Sequence, residues 1–260
     1  MDLRLKRSQR SGGMLGGKIV FMLDARANLT NEERALVSKY GLGKMTLYDS
    51  EARKKRLQSA ADGGGGFKAL TNLALASRLD EGYAALAREL VIMGGSFDPD
   101  GSKVDEFSLQ FVNNPRVEFN FRWDPEAGKM MLHAGWKKIT VIPTDATVGT
   151  KFTSEIVNRA TAGSESPASK YVAGFAQLGF PMWDEVAAAV LLDPSIARRT
   201  DRLAMDIDIG HGANYGATLS WPAGGGPGLG EPDVAVVRAV DVPRLEAMFV
   251  DLVRRPPGAP

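Results

Sequence analysis

The 260-residue sequence contains no cysteine and only two histidines, His133 and His211. The first absence excludes disulfides, thiolate nucleophiles and thiolate metal sites, and the second excludes a polyhistidine metal centre. Any metal would be a hard cation held by oxygen ligands. Charge of one sign is also lacking: 32 basic against 31 acidic residues leave a net charge of +1. No basic field therefore points to nucleic acid. The run RKKR at 53–56 reads as a solvated helix face. No apolar run approaches the roughly 18 residues that a membrane span requires. The basic start followed by MLGGKIVFML is broken by glycines, and Asp24 and Arg26 stand where a small-residue cleavage site belongs. A cytoplasmic protein without membrane or nucleic-acid partners is the expectation.

What is present alternates. Residues 18–25, KIVFMLDA, read as a buried strand. Thr30 and Glu33 form a capping box for the helix that follows, and Gly41 stands at its stop. Residues 44–49 read as a second strand and 50–62 as a charged helix beginning at Ser50. Four glycines at 63–66 make a flexible joint. The expected organisation is thus a βαβα segment over 1–62, the joint, and a larger α/β domain over 67–255. Within that domain, 71–88 has helical spacing, and 89–95, ELVIMGG, is an apolar strand feeding a loop. A long polar loop, a helix over 124–135 and a strand over 137–145 follow. Helices are expected over 167–179 and 184–196, a strand over 232–241 and a closing helix over 242–255. The class is α/β: a doubly wound, mostly parallel sheet, which binds ligands beyond the strand C-termini. Met93, Gly94, Gly95, Asn113, Asn114, Glu118, Asn120 and Asp145 all fall there. In VEFNF, an extended segment would send Glu118 and Asn120 to one side and Phe119 into the core. The plainer alternative is a loop whose carboxylate satisfies its own backbone. Trp123 and Trp136 read as core or rim packing. Asp206 and Asp208 alternate along a strand and read as structural.

Five phrases in order, LTNLALASRLD, ELVIMGG, NNPRVEFNFRWDPEA, PMWDEVAAAVLLDPSI and DIDIGHGANYGATLSW, give a specific resemblance over about 67–255. They resemble the later part of the inosine-uridine-preferring nucleoside hydrolases. That resemblance implies hydrolysis of the N-glycosidic bond of ribonucleosides, in purine and pyrimidine salvage. It also implies a calcium ion on the ribose hydroxyls and the attacking water. Carried over by motif, Glu118 and Asn120 grip the 5′-hydroxyl side of ribose, with Met93 beside the sugar. Asn113 or Asn114 approximates a further ribose contact. Asp184 corresponds to the late aspartate that ligates calcium and contacts the 3′-hydroxyl; it also reads as the N-cap of its helix. Trp183 replaces a histidine found in many members, and an indole stacks on a base but cannot protonate it.

The family's opening Asp-x-Asp-x-x-x-Asp-Asp loop, source of the base and most calcium ligands, has no counterpart in this sequence. Asp24, at the end of the first expected strand, occupies a comparable place with one aspartate instead of four; it is a plain strand end or a candidate base. Two functions follow. One is a nucleoside hydrolase-like protein with a partial ribose pocket and impaired hydrolysis, its calcium in doubt. The other is a non-enzymatic binding or interaction protein that uses the hydrolase-like remainder as scaffold. The expected partner is a ribonucleoside or ribose; a homo-oligomer is left open.

Overall fold

The computed structural model describes residues 14–15, 18–20, 69–98, 114 and 116–256. The capping box at Thr30 and Glu33, the stop at Gly41, the strand over 44–49, the helix from Ser50, the joint at 63–66, Asp24 and Asn113 lie outside the described residues, as does most of the expected boundary between segments.

Seven strands form one sheet among the described residues: β1 (Met14–Leu15), β2 (Lys18–Val20), β3 (Glu89–Met93), β4 (Ile139–Ile142), β5 (Ala197–Ile207), β6 (Thr218–Pro222) and β7 (Asp233–Val240). Their order across the sheet is β1-β2-β3-β4-β7-β5-β6. Strands β2, β3, β4 and β7 run parallel, with Val20 opposite Val91 and Met93 opposite Ile142. Strand β5 pairs antiparallel with both β7 and β6. This is the mostly parallel α/β sheet expected from the alternating pattern. Lys18–Val20 pairs within it, alongside β3.

The central strands read as unbroken apolar runs because both faces of the sheet are covered. The period of two then divides their side chains. Leu90 and Ile92 of β3, Ile139 and Val141 of β4 and Val236 of β7 face one core with α1 (Ala69–Leu79) and α3 (Pro125–Leu132). Val91, Ile142 and Val237 face a second core with α7 (Trp183–Leu192) and α8 (Val242–Arg254). Between these helices lie α2 (Phe119–Trp123), α4 (Thr144–Thr147), α5 (Ser154–Thr161) and α6 (Pro167–Phe175).

Helix starts follow local chemistry. Asp124 caps α3, accepting from the Ala127 N–H at 3.1 Å and from the Thr71 hydroxyl of α1. Ser166 caps α6 at the Ser169 N–H (2.9 Å), with Pro167 at the first helical position, where its missing donor is harmless.

Three expectations need correction. The helix expected over 71–88 ends at Leu79; the chain turns over 81–83 and continues as a single 3-10 turn at Ala84–Leu86. Asp184 does not cap its helix, because Met182 holds that position and Asp184 lies in the first turn. Phe119 does not enter the core. A helix begins at Phe119, so the side chains no longer alternate; Phe119 is 38% exposed and Phe121 is fully buried.

Phe121 sits against α1, α3 and the end of β3. Phe121→Ala should lower unfolding free energy by about 3–5 kcal/mol, since a large buried ring leaves a cavity. Urea denaturation of the two chains checks this. A loss below about 1 kcal/mol would mean that the site collapses onto the gap.

Candidate functional site

The site begins where β3 ends. After Met93, the Gly94 N–H donates to the Ile142 carbonyl at 3.0 Å, and the Gly95 carbonyl accepts from the Thr144 N–H at 3.0 Å. Gly95 has φ of +85°, a conformation costly for side-chain-bearing residues. A Cβ on Gly94 would lie 2.8 Å from the Phe121 ring. The double glycine is thus required by the ring that closes over it.

Glu118 ties this turn to α2. Its Oε1 accepts from the Asn120 N–H at 2.8 Å, and its Oε2 accepts from the N–H groups of Phe121 and Gly95, each at 3.1 Å. The side chain is 4% exposed. The plainer expectation, a carboxylate that satisfies backbone, therefore describes much of what Glu118 does. Of the roughly four lone-pair directions of a carboxylate, these bonds leave about one for a ligand.

Asn120 turns toward the same point. Its amide nitrogen donates to the Met93 carbonyl at 3.2 Å and reaches the Met93 sulfur at 3.3 Å. No hydrogen bond from a described residue reaches its amide oxygen. Asp184 lies in the first turn of α7, which packs on the other face of β3. Burial pushes the Glu118 carboxyl up from 4.5 to about 7 against the three N–H donors that lower it, and the Asp184 charge adds to the rise. Met93, Glu118 and Asn120 are thus in contact, with Asp184 within electrostatic reach.

Asn114 is engaged elsewhere. Its amide donates to the Ala213 carbonyl at 2.7 Å and to the Asn214 side chain at 3.2 Å, and its oxygen accepts from the Arg116 N–H at 3.2 Å. It ties down the loop after β5. Asp145 is also occupied: it accepts from the Phe97 N–H at 2.7 Å and anchors the turn after β3. Burial raises its pKa. Asp206 is buried and held by Lys129, by His133 Nε2 at 3.2 Å and by the Ile207 N–H at 2.8 Å, as a structural residue would be. Trp136 packs edge-on to Tyr83 and donates to the Met131 carbonyl at 2.7 Å.

Beside Asp184 opens a cavity of about 380 Å³. Aromatic side chains dominate its wall: Phe152, Tyr171, Phe175, Phe180, Trp183 and Phe249. Trp183 meets Phe180 edge to face at 5.4 Å, and Tyr171 and Phe175 lie 4.8 Å apart on α6. Tyr171 is 53% and Phe175 70% exposed, so this wall is open to a ligand. Gln177, Asp184 and Glu185 bring polar groups to the cavity. Burial pushes the Glu185 carboxyl from 4.5 to about 7, helped by the adjacent Asp184 charge and opposed by its own backbone N–H. Sequence reasoning missed Glu185 and every aromatic of this wall except Trp183. The i, i+4 pair Tyr171 and Phe175 was the one local signal available.

A calcium ion takes six to eight oxygens. Among the described residues no group of three or more histidine, aspartate or glutamate side chains is placed to hold a metal ion. Asp184 alone does not make such a site, and the described residues do not fit the ion.

Residues 68–247 match the family model described as inosine-uridine preferring nucleoside hydrolase. The inosine-uridine preferring nucleoside hydrolase of Crithidia fasciculata is 26% identical over 167 residues, covering 58% of this chain and 47% of that protein. A putative pyrimidine-specific ribonucleoside hydrolase of Shigella boydii is 24% identical over 58% of this chain and 61% of its own length. The chain spans about half the length of such curated relatives. Among solved structures, a plant nucleoside hydrolase superposes with a TM-score of 0.60 at 23% identity, over 72% of this chain and 60% of that one. A purine-preferring ribonucleoside hydrolase from Gardnerella vaginalis gives 0.55 at 22%, over 71% and 58%. These superpositions establish the fold.

The raised carboxyl of Glu118 sets a pH dependence. A buried carboxyl whose folded pKa lies above its unfolded value favours the protonated fold. Its contribution is full below about 4.5 and is lost as pH rises through about 7. The loss is on the order of 3 kcal/mol. Glu185 adds to the slope in the same window. Urea unfolding across that window should show wild-type stability falling more steeply than that of Glu118→Gln. Equal slopes would show that folding leaves the Glu118 pKa unchanged.

Proposed function

This chain belongs to the inosine-uridine preferring nucleoside hydrolase family, and from that premise we propose that it binds ribonucleosides at the end of β3 and hydrolyses them weakly as it stands. The supporting observation is the convergence of Met93, Glu118 and Asn120 on one point that also senses the Asp184 charge. The ribose lies against this group. The free lone pair of Glu118 accepts a sugar hydroxyl, and the Asn120 amide fixes the opposite side of the same contact. Asp184 takes the hydroxyls nearer the reacting carbon. The base extends into the aromatic cavity, stacking against Trp183 and its neighbours.

N-glycosidic hydrolysis adds water oxygen to the ribosyl C1′ and returns the bonding pair to the base nitrogen. Positive charge develops on the sugar as the bond breaks. The Asp184 carboxylate offsets it in a partly water-excluded cleft, where fixed charges act strongly. Two elements of the full reaction are missing. The sequence holds no aspartate-rich loop to deprotonate the water, and a positioned base contributes about 10²–10⁴ in rate. The indole of Trp183 supplies no proton to the departing base. Without these the chain retains ribose and base contacts and little turnover. The catalytic standing of Asp24 shares the test of this proposal.

Release of free base from inosine and uridine, measured with and without a chelator, tests the reading. The expected rate is orders of magnitude below that of a complete family member and insensitive to chelator. Nucleoside binding should persist and weaken about tenfold in Asp184→Ala and in Asn120→Ala, the loss of one charge-assisted or buried hydrogen bond. Robust turnover abolished by the chelator would overturn the impairment, and Asp24 would then be the first carboxylate to replace.

A further inference from the structure

Glu185, half-buried in the wall of the cavity, is an acceptor that the nucleoside reading leaves without a task. It follows Asp184 in the first turn of α7 and lines the aromatic cavity beside Gln177. Consecutive helical residues project about a quarter turn apart. The two carboxylates therefore address different parts of one cavity, and Asp184 is the one whose charge reaches Glu118. Among the described residues, Glu185 has only its own backbone N–H as a hydrogen-bond partner. Burying a carboxyl without partners is costly, and the cost is relieved when a ligand brings donors. Among the described residues no lysine or arginine lines the cavity to do so. The donors must come from an aromatic, planar ligand, given the walls.

We propose that Glu185 reads the base: its carboxyl accepts the paired N–H donors of a guanine edge while the aromatic walls hold the ring. This rests on the nucleoside-binding reading above and deepens it. A carboxylate has two parallel acceptors and pairs best with two parallel N–H groups. Guanine offers them side by side at N1 and the 2-amino group. Hypoxanthine offers N1–H alone. Adenine turns a lone pair at N1 toward the carboxylate, which repels it. Uracil has a single N–H between two carbonyls. The cavity, about 380 Å³, lies within the size range of small-ligand sites. Enzymes that read an unstacked base do so by these means, edge hydrogen bonds and aromatic stacking.

Calorimetric titration of the full chain with guanosine, inosine and adenosine is the test. Wild type should bind guanosine roughly tenfold or more tighter than adenosine, with inosine between, since each hydrogen bond to a charged group is worth about that factor. Glu185→Gln replaces one acceptor by a donor in nearly the same shape. It should erase the guanosine preference and favour adenosine, whose edge pairs an acceptor with a donor. Glu185→Ala should bind all three alike, and melting curves of both variants establish that they are folded. Asp184→Ala should weaken all three by one common factor, because it acts at the sugar. An unchanged order of affinities in folded Glu185→Gln and Glu185→Ala overturns the role of Glu185 and leaves the nucleoside site standing. Wild type that binds none of the three overturns both.

Discussion

The Glu118 carboxylate and the three backbone N–H groups it accepts are the constraint on which the site depends. One N–H comes from Gly95 at the end of β3, and two come from the start of α2. Gly95 and the start of α2 are more than twenty residues apart in the sequence. With the carboxylate in place, α2 starts at Phe119, Phe121 turns inward over the double glycine, and Asn120 is left beside Met93. A smaller or longer side chain would not span the same three donors. The burial that makes the knot firm also raises the Glu118 pKa, because it strips water from the charge by more than the three N–H donors offset.

The same residues therefore serve the fold and the site. Glu118 spends most of its acceptor capacity on backbone and keeps one direction for a ligand. Asp184 is set in the first turn of α7, where the helix dipole favours a carboxylate. The two acids belong to elements on opposite faces of the sheet, and the charge of Asp184 is felt at Glu118, which is bonded to the end of β3. The aromatic cavity is lined by Asp184 and by aromatic residues of α6 and α7.

Much of this was legible in the sequence, for physical reasons that differ by element. The central strands announced themselves as apolar runs because both sheet faces are covered. That Glu118, Asn120 and Met93 come together was visible only as motif order. What the sequence could not show was that Glu118 is a helix cap. Glutamate is not among the preferred capping residues, so alternation was the natural reading, and it placed the wrong phenylalanine in the core. Asp184 misled in the opposite sense: aspartate is a preferred cap, yet Met182 holds that position. The aromatic cavity was invisible because its wall is gathered from residues 152 to 249, and only folding brings them together.

The central claim is that Glu118 and Asp184 share one cleft beyond β3. Carbon-detected magnetic resonance of the Glu118 side-chain carboxyl, titrated in wild type and in Asp184→Asn, tests it most directly. The account predicts a midpoint near 7 in wild type, and a lower one once the Asp184 charge is removed. A wild-type midpoint near 4.5, unmoved by the substitution, would place the two carboxylates apart and contradict the shared site.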